Sequence, residues 1–324
     1  MADLLSGYNI KEKLGIGARS QIYQVTKPDS EEIFALKRVV REEDEDTRFL
    51  DQAITEFEVS SKFNHPTLRR SLELKRFRKW MKLAEVHVIM EFVGGVTLEK
   101  RRPERMEDAI DLFIKLAEGL DVIHQAGYVH ADIKPNNIIL TDNGPKIIDF
   151  GQSCPIGFIK PRIQGTPDYI APEQVKRRHL TAQTDIYNLG ATLYWALTGQ
   201  TFPTLISRKG KSDEFTIATG AGTPSPQQIN HAIPAVLSRL VMESCAFRRS
   251  DRPNDMKEVI KRLEMAQHVL TKRSAGENVE ADAAAEPIAP PAAPTSVPAR
   301  PMDDHYDYSA LLEIEREARG SDTP

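Results

Sequence analysis

One short run constrains the architecture of this chain more than any other: Tyr128-Val129-His130-Ala131-Asp132-Ile133-Lys134-Pro135-Asn136-Asn137, with Asp149-Phe150-Gly151 a few residues on. Between them lie two short β-prone triplets, Ile138-Ile139-Leu140 and Lys146-Ile147-Ile148, separated by Asp142-Asn143-Gly144. Asn-Gly favours the backbone of a tight reversal, so the triplets read as two short strands of a hairpin. That hairpin sets Asn137 and Asp149 at neighbouring strand ends, where an amide and a carboxylate can share one hard cation. Asp132 and Lys134 add an acid and a base on the same loop. Each piece alone is most often a solvated surface loop; order and separation carry the information.

The chain has 324 residues and a formal net charge of -4, which suits two lobes plus a tail better than one small core. A near-neutral balance gives no reason to expect a nucleic acid partner. Cys154 and Cys245 offer neither metal spacing nor a disulfide framework, in keeping with a reducing interior. The first residues lack a basic region followed by an apolar run, and no segment reaches the roughly 18 apolar residues of a membrane helix. The expectation is a cytoplasmic chain with no signal peptide and no membrane span.

Apolar alternation around two glycines from Ile10 to Val25 predicts a strand, a turn and a return strand. Ile33 to Val40 reads as an apolar strand with Lys37 inside it. The charge run 41–46 reads as a solvated loop, and a helix follows from about Asp51 to Phe63. Leu72 to Lys82 is basic and aromatic. It reads as a solvated hairpin, with a docking surface for an acidic partner as the lesser alternative. Val86 to Val93 is a strand running into Gly94-Gly95. Ile110, Phe113, Ile114, Ala117, Leu120 and Ile123 recur at helical spacing between Pro103 and Ala126, with Gly127 as the stop. A second apolar helix covers Thr184 to Gly199. Residues 201–230 look loop-like, and helices follow to about Thr271. Residues 272–304 are rich in Ala and Pro and cannot bury a core. Residues 305–324 mix acids with Tyr306, Tyr308, Leu311, Leu312 and Ile314, and predict a short helix from about Ser309 to Ala318. This end is either a solubilising tail or a tethered docking peptide.

The Asp132-to-Asn137 loop and Asp149-Phe150-Gly151 resemble the catalytic loop and metal-binding turn of the eukaryotic-type (Hanks-type) serine/threonine protein kinases. Leu14-Gly15-Ile16-Gly17 is similar to their glycine-rich loop. Gly165-Thr166-Pro167-Asp168-Tyr169-Ile170-Ala171-Pro172-Glu173 is similar to their substrate-site segment, in a style close to bacterial members. The resemblance covers about 8–266. It implies an α+β bilobal fold, with a kinase domain over 8–271 divided near 92–93 into a β-rich lobe and a larger helical one. ATP and Mg2+ would bind between the lobes, and a protein Ser or Thr hydroxyl would be the acceptor. By the same resemblance, Asp132 orients the acceptor hydroxyl and Lys134 steadies the moving phosphoryl group. Asn137 and Asp149 hold magnesium, and Lys37, paired with Glu56, aligns the phosphates. Leu14, Gly15, Gly17, Ile22, Ala35 and Ile139 line the nucleotide pocket, behind which Met90 stands as gate. Backbone atoms of Glu91 and Val93 read the adenine edge. Thr166 bonds the catalytic Asp132 and Lys134. Asp185 anchors the catalytic loop, and Arg252 pairs with Glu173.

The chain departs from the family pattern at four positions. Ser20 replaces the third glycine. Ala131 stands where kinases switched by loop phosphorylation carry arginine. Ser60 and Ser71 fall where two apolar side chains are usual, a contact two serines could bridge by a hydrogen bond. The segment Asp149 to Glu173 carries few hydroxyls, namely Ser153, Thr166 and Tyr169. The expectation is a kinase not switched by phosphorylation of this segment. Cys154 within it reads as an unreactive thiol, with redox sensing as the alternative. A pseudokinase scaffold that binds nucleotide and a partner is the second reading. A small-molecule phosphotransferase is disfavoured by Thr166 to Glu173, Asp185 and Arg252.

Overall fold

The computed structural model describes residues 4–16, 19–41, 47–205, 207–208, 215–216 and 222–275. Gly17, most of the linker after 272 and the helix expected near Ser309 lie outside these residues.

The small lobe is a six-stranded antiparallel sheet. Its strands are β1 (Leu4–Leu5), β2 (Tyr8–Ile16), β3 (Ser20–Thr26), β4 (Ile33–Val40), β5 (Ser71–Lys79) and β6 (Lys82–Glu91), in the order β1-β2-β3-β4-β6-β5. Helix α1 (Arg48–Ser60) crosses one face. Side chains alternate along a strand, so Ala35 and Val39 face α1, packing with Leu50, Ala53, Val86, Val88 and Met90. Phe34 and Leu36 face the other way, against Tyr8, Val25 and Ile89. Lys37 shares the parity of Ala35 and Val39 and therefore points toward the helix.

Helix α1 starts and stops three residues earlier than the expected Asp51 to Phe63. The Thr47 hydroxyl bonds Asp51 at 2.8 Å, which puts Asp51 in the first turn, where a carboxylate favours the helix dipole. At the other end the chain tightens into three-residue turns (Lys62 N–H to Val59 O, 3.1 Å). Phe63 is then free to bury itself beside Val59 and Leu68 in the larger core. The basic stretch is itself strand: β5 and β6 meet at Trp80 (φ +59°) and Met81, both nearly fully exposed.

The larger lobe follows with β7 (Val96–Thr97), α2 (Met106–Gln125), β8 (Tyr128–Val129), β9 (Ile138–Thr141), β10 (Gly144–Ile147) and β11 (Cys154–Pro155). The short helix α3 (Pro172–Val175) precedes α4 (Ala182–Thr198). Beyond it come β12 (Ser207–Arg208), β13 (Phe215–Thr216), α5 (Pro226–Ile229), α6 (Ala235–Ser244) and α7 (Met256–Ser274). Helix α2 begins at Met106, not Pro103, because 101–105 are largely exposed and Met106 is the first side chain to pack on the core. Its stripe Ile110, Phe113, Ala117, Leu120 and Ile123 is buried as the spacing predicts. The stretch 201–230 is less irregular than expected, carrying β12, β13 and α5. Helix α7 runs three residues past Thr271 into the stretch read as linker.

Hairpin β9–β10 forms with Gly144 at φ +112° and adds β7 to its edge. Gly95 makes this possible. A Cβ there would run into the Leu140 carbonyl oxygen, so only glycine lets the hinge between the lobes, residues 92–95, approach β9. No described helix is long and apolar enough to cross a membrane.

Candidate functional site

The site lies where the two lobes meet. From the sheet, Lys37 Nζ reaches Glu56 Oε2 at 2.6 Å. Glu56 lies on the buried stripe of α1, at helical spacing from Ala53, Val59 and Ser60, and is fully buried; Glu58 is exposed. Lys37 Nζ is also 3.5 Å from Asp149 Oδ1. Burial alone would lower the lysine, yet the Asp149 and Glu56 carboxylates together hold it well above the ordinary range. The same lysine holds the Asp149 carboxyl far below the usual carboxylate range, so it is ionised at neutral pH. Asp149 takes a left-handed backbone (φ +64°), and its side chain accepts the Gly151 N–H.

The residues of the Asp132-to-Asn137 loop converge below this cluster. Asp132 Oδ2 accepts from Lys134 Nζ at 2.9 Å and Asn137 Nδ2 at 3.0 Å, and Oδ1 accepts the Thr166 hydroxyl at 2.8 Å. Lys134 Nζ donates to Thr166 Oγ1 at 2.6 Å, closing a triangle. The Asn137 amide also donates to the Asp132 carbonyl. Both its donors are thus engaged, leaving the amide oxygen as the atom able to meet a cation. Among the described residues no group of three or more His, Cys, Asp or Glu side chains converges as a metal cage. Two oxygens from Asn137 and Asp149 suit Mg2+, which keeps waters and takes its remaining ligands from phosphates.

The loop is held from beneath by Asp185, which is fully buried. Its carboxylate accepts the backbone N–H of His130 (2.8 Å) and of Ala131 (2.7 Å), and meets His124 Nε2 at 2.8 Å. This clamp holds Ala131 at φ +63°, a conformation that L-residues avoid. Arg252 forks onto Glu173 at 2.8 and 2.9 Å.

The residues expected to line a pocket lie on several elements. Leu14 and Gly15 lie on β2, Gly15 opposite Ile22 of β3. Ala35 pairs with Met90, and Glu91 ends β6, its carboxylate 2.6 Å from Lys146 Nζ. Val93 follows in the hinge, and Ile139 lies on β9 opposite Thr97.

Ser60 and Ser71 are buried with their hydroxyls 2.6 Å apart, and Ser60 Oγ is 2.6 Å from the Glu56 carbonyl. A hydroxyl donates once, so Ser60 gives its proton to that carbonyl and Ser71 donates to Ser60. Ser60→Ala strands the Ser71 hydroxyl, at about 1–3 kcal/mol. Urea unfolding is expected to show Ser60→Ala less stable than the double Ser60→Ala/Ser71→Ala. A double variant less stable than either single would refute the link. Phe150 meets His130 edge to face, ring centroids 5.0 Å apart. Cys154 is buried and pushed up to about 11 by desolvation, which removes the basis for redox sensing.

Sequence reasoning missed Arg69, which is buried and pairs with Glu56 Oε1. It also missed His124 and Gln174, whose amide donates to the Ala131 carbonyl at 2.8 Å. Nothing local separates Arg69 from the exposed Arg70 beside it.

Residues 8–273 match the family model described as the protein kinase domain. The chain is 28% identical over 266 residues to the serine/threonine-protein kinase PknK of Mycobacterium tuberculosis, covering 78% of this chain and 23% of PknK. It is 26% identical to a probable serine/threonine-protein kinase PknB of Lactococcus lactis, covering 78% of this chain and 41% of that protein. It thus spans well under half the length of these relatives. The crystal structure of the Mycobacterium tuberculosis PknI kinase domain superposes with a TM-score of 0.62 at 20% identity, covering 82% of this chain and 98% of that domain. That likeness shows the fold.

Proposed function

The chain belongs to the protein kinase family, and from that premise we propose that it transfers the γ-phosphoryl group of ATP, with Mg2+, to Ser or Thr hydroxyls of a protein. The observation that carries this reading is the Asp132–Lys134–Thr166 triangle below the Lys37–Glu56–Asp149 cluster. The Asp132 carboxylate orients the acceptor hydroxyl and takes its proton as the oxygen bonds to the γ-phosphorus and the bond to the ADP oxygen breaks. Lys134, already in contact with Asp132, offers positive charge to the moving group, and Lys37 aligns the phosphates. Magnesium, held by Asn137 and Asp149, would neutralise phosphate charge.

Three features support a kinase not switched by phosphorylation of its activation segment. Ala131 replaces the arginine that would bind such a phosphate. Ser153 is buried. The Thr166 hydroxyl is engaged by Asp132 and Lys134. Mass spectrometry of active protein should find the segment unmodified.

The test is labelled-phosphate transfer from Mg-ATP to the chain itself and to a generic protein acceptor, beside Asp149→Asn. Wild type should transfer and the variant should fall to background. Nucleotide binding without transfer would instead favour a scaffold.

A further inference from the structure

We infer that Arg69 is a positioning residue for the transfer reaction: it grips Glu56 on the side away from Lys37 and so fixes the lysine over the phosphates. The inference rests on the kinase reading and extends it to a residue outside the Lys37–Glu56 pair.

Glu56 has no exposed surface, and each of its oxygens has a cationic partner, Lys37 on Oε2 and Arg69 on Oε1. Arginine is seldom buried unless paired, and Arg69 is 8% exposed. Its main chain is rooted in the other lobe. Arg69 N–H donates to Ile147 O at 3.0 Å, and Ile147 N–H donates to Thr67 O at 2.7 Å. Ile147 ends β10, the strand that delivers Asp149 two residues later. One backbone ladder therefore positions both the carboxylate near Lys37 and the guanidinium behind Glu56.

The charges are in balance. Lys37 and Arg69 face Glu56 and Asp149, two cations against two anions. Without Arg69, one oxygen of a desolvated carboxylate loses its partner and Lys37 alone answers both Glu56 and Asp149, which draws it off its place. The packing points the same way. Ser60 and Ser71 supply a polar link where an apolar stack would hold the end of α1, so Arg69 is the strong inner anchor of that helix.

The experiment is a double-mutant cycle on kcat and on KM for ATP, with wild type, Arg69→Met, Glu56→Gln and the double variant. Arg69→Lys is added as the charge-conserving variant. Arg69→Met is expected to lower kcat about 10–100-fold through misplacement of Lys37, with KM changed less than about threefold. Arg69→Lys should recover part of the loss, and the double variant should be no worse than about threefold below Glu56→Gln. A kcat for Arg69→Met within about twofold of wild type, or losses that multiply, overturns the inference. Should Arg69→Met fail to fold, Arg69→Gln takes its place in the cycle. If wild type transfers no phosphate, the kinase reading fails. The role in transfer falls with it, and the hold of Arg69 on Glu56 is judged separately by amide hydrogen exchange of Arg48–Ser60: faster exchange in the variant supports that anchor, and unchanged exchange overturns it.

Discussion

Asp132→Asn is expected to lower the rate of phosphoryl transfer by about 10²–10⁴-fold, the range for removing a positioned acid or base. The substitution is nearly isosteric. An Asn oxygen can still accept from Lys134 and Asn137, and its amide can still donate to Thr166 Oγ1, so the hydrogen-bonded triangle survives. What disappears is the anionic oxygen that takes the proton. KM for ATP should stay close to wild type, because the groups proposed to meet the phosphates, Lys37 and Asp149, lie on other elements. The unfolding midpoint should also stay close. Single-turnover transfer to a protein acceptor separates the chemical step from binding and release. A loss below about tenfold would mean that Asp132 only shapes the loop and that the proton leaves by another route.

Much of the site's geometry was legible because it is local or periodic. The Asn143-Gly144 turn and the two short strands around it place Asn137 and Asp149 together. The pairing of Lys37 with Glu56 came from the family resemblance, and the structure supplies its physical basis: the parity of Lys37 with Ala35 and Val39, and the 3.6-residue period through Ala53, Glu56 and Ser60, turn the two toward each other. The hydrogen bond between Ser60 and Ser71 was legible too, once both were placed at a buried contact. Arg69 was not, because its burial follows from a bond to Ile147, some eighty residues away in sequence. His124 and Gln174 were hidden for the same reason: their partners, the Asp185 carboxylate of α4 and the Ala131 carbonyl, come from distant segments. The ends of α1 and α2 were misplaced where tertiary burial, at Phe63 and Met106, outweighed the local cues of Asp51 and Pro103. The basic stretch was legible as well: β5 and β6 form the solvated hairpin expected there, with Trp80 and Met81 exposed at its tip.

The second large effect is structural and lies at the end of the activation segment. Arg252 directs its guanidinium at five acceptor atoms: both oxygens of Glu173 and the carbonyls of Gln183, Ala246 and Phe247. It also stacks over Tyr187, 4.9 Å from the ring centroid. Its side chain has no exposed surface and that of Glu173 only 4%. Arg252→Met leaves that carboxylate buried with the Thr184 hydroxyl, at 2.9 Å, as its side-chain donor. Breaking one half of such a pair costs about 3–5 kcal/mol, which for a domain of this size lowers Tm by roughly 6–20 °C. Glu173→Gln should cost less, because the arginine keeps its carbonyl acceptors and the new amide can still accept. Adding Glu173→Leu to Arg252→Met should restore part of the loss by removing the orphaned charge, a coupling that urea unfolding can read directly. An Arg252→Met protein within about 1 kcal/mol of wild type would show that water reaches Glu173 once the arginine is gone. The pair would then be a surface tie, and the link it makes between α3 and the α6–α7 connection would carry little of the lobe's stability.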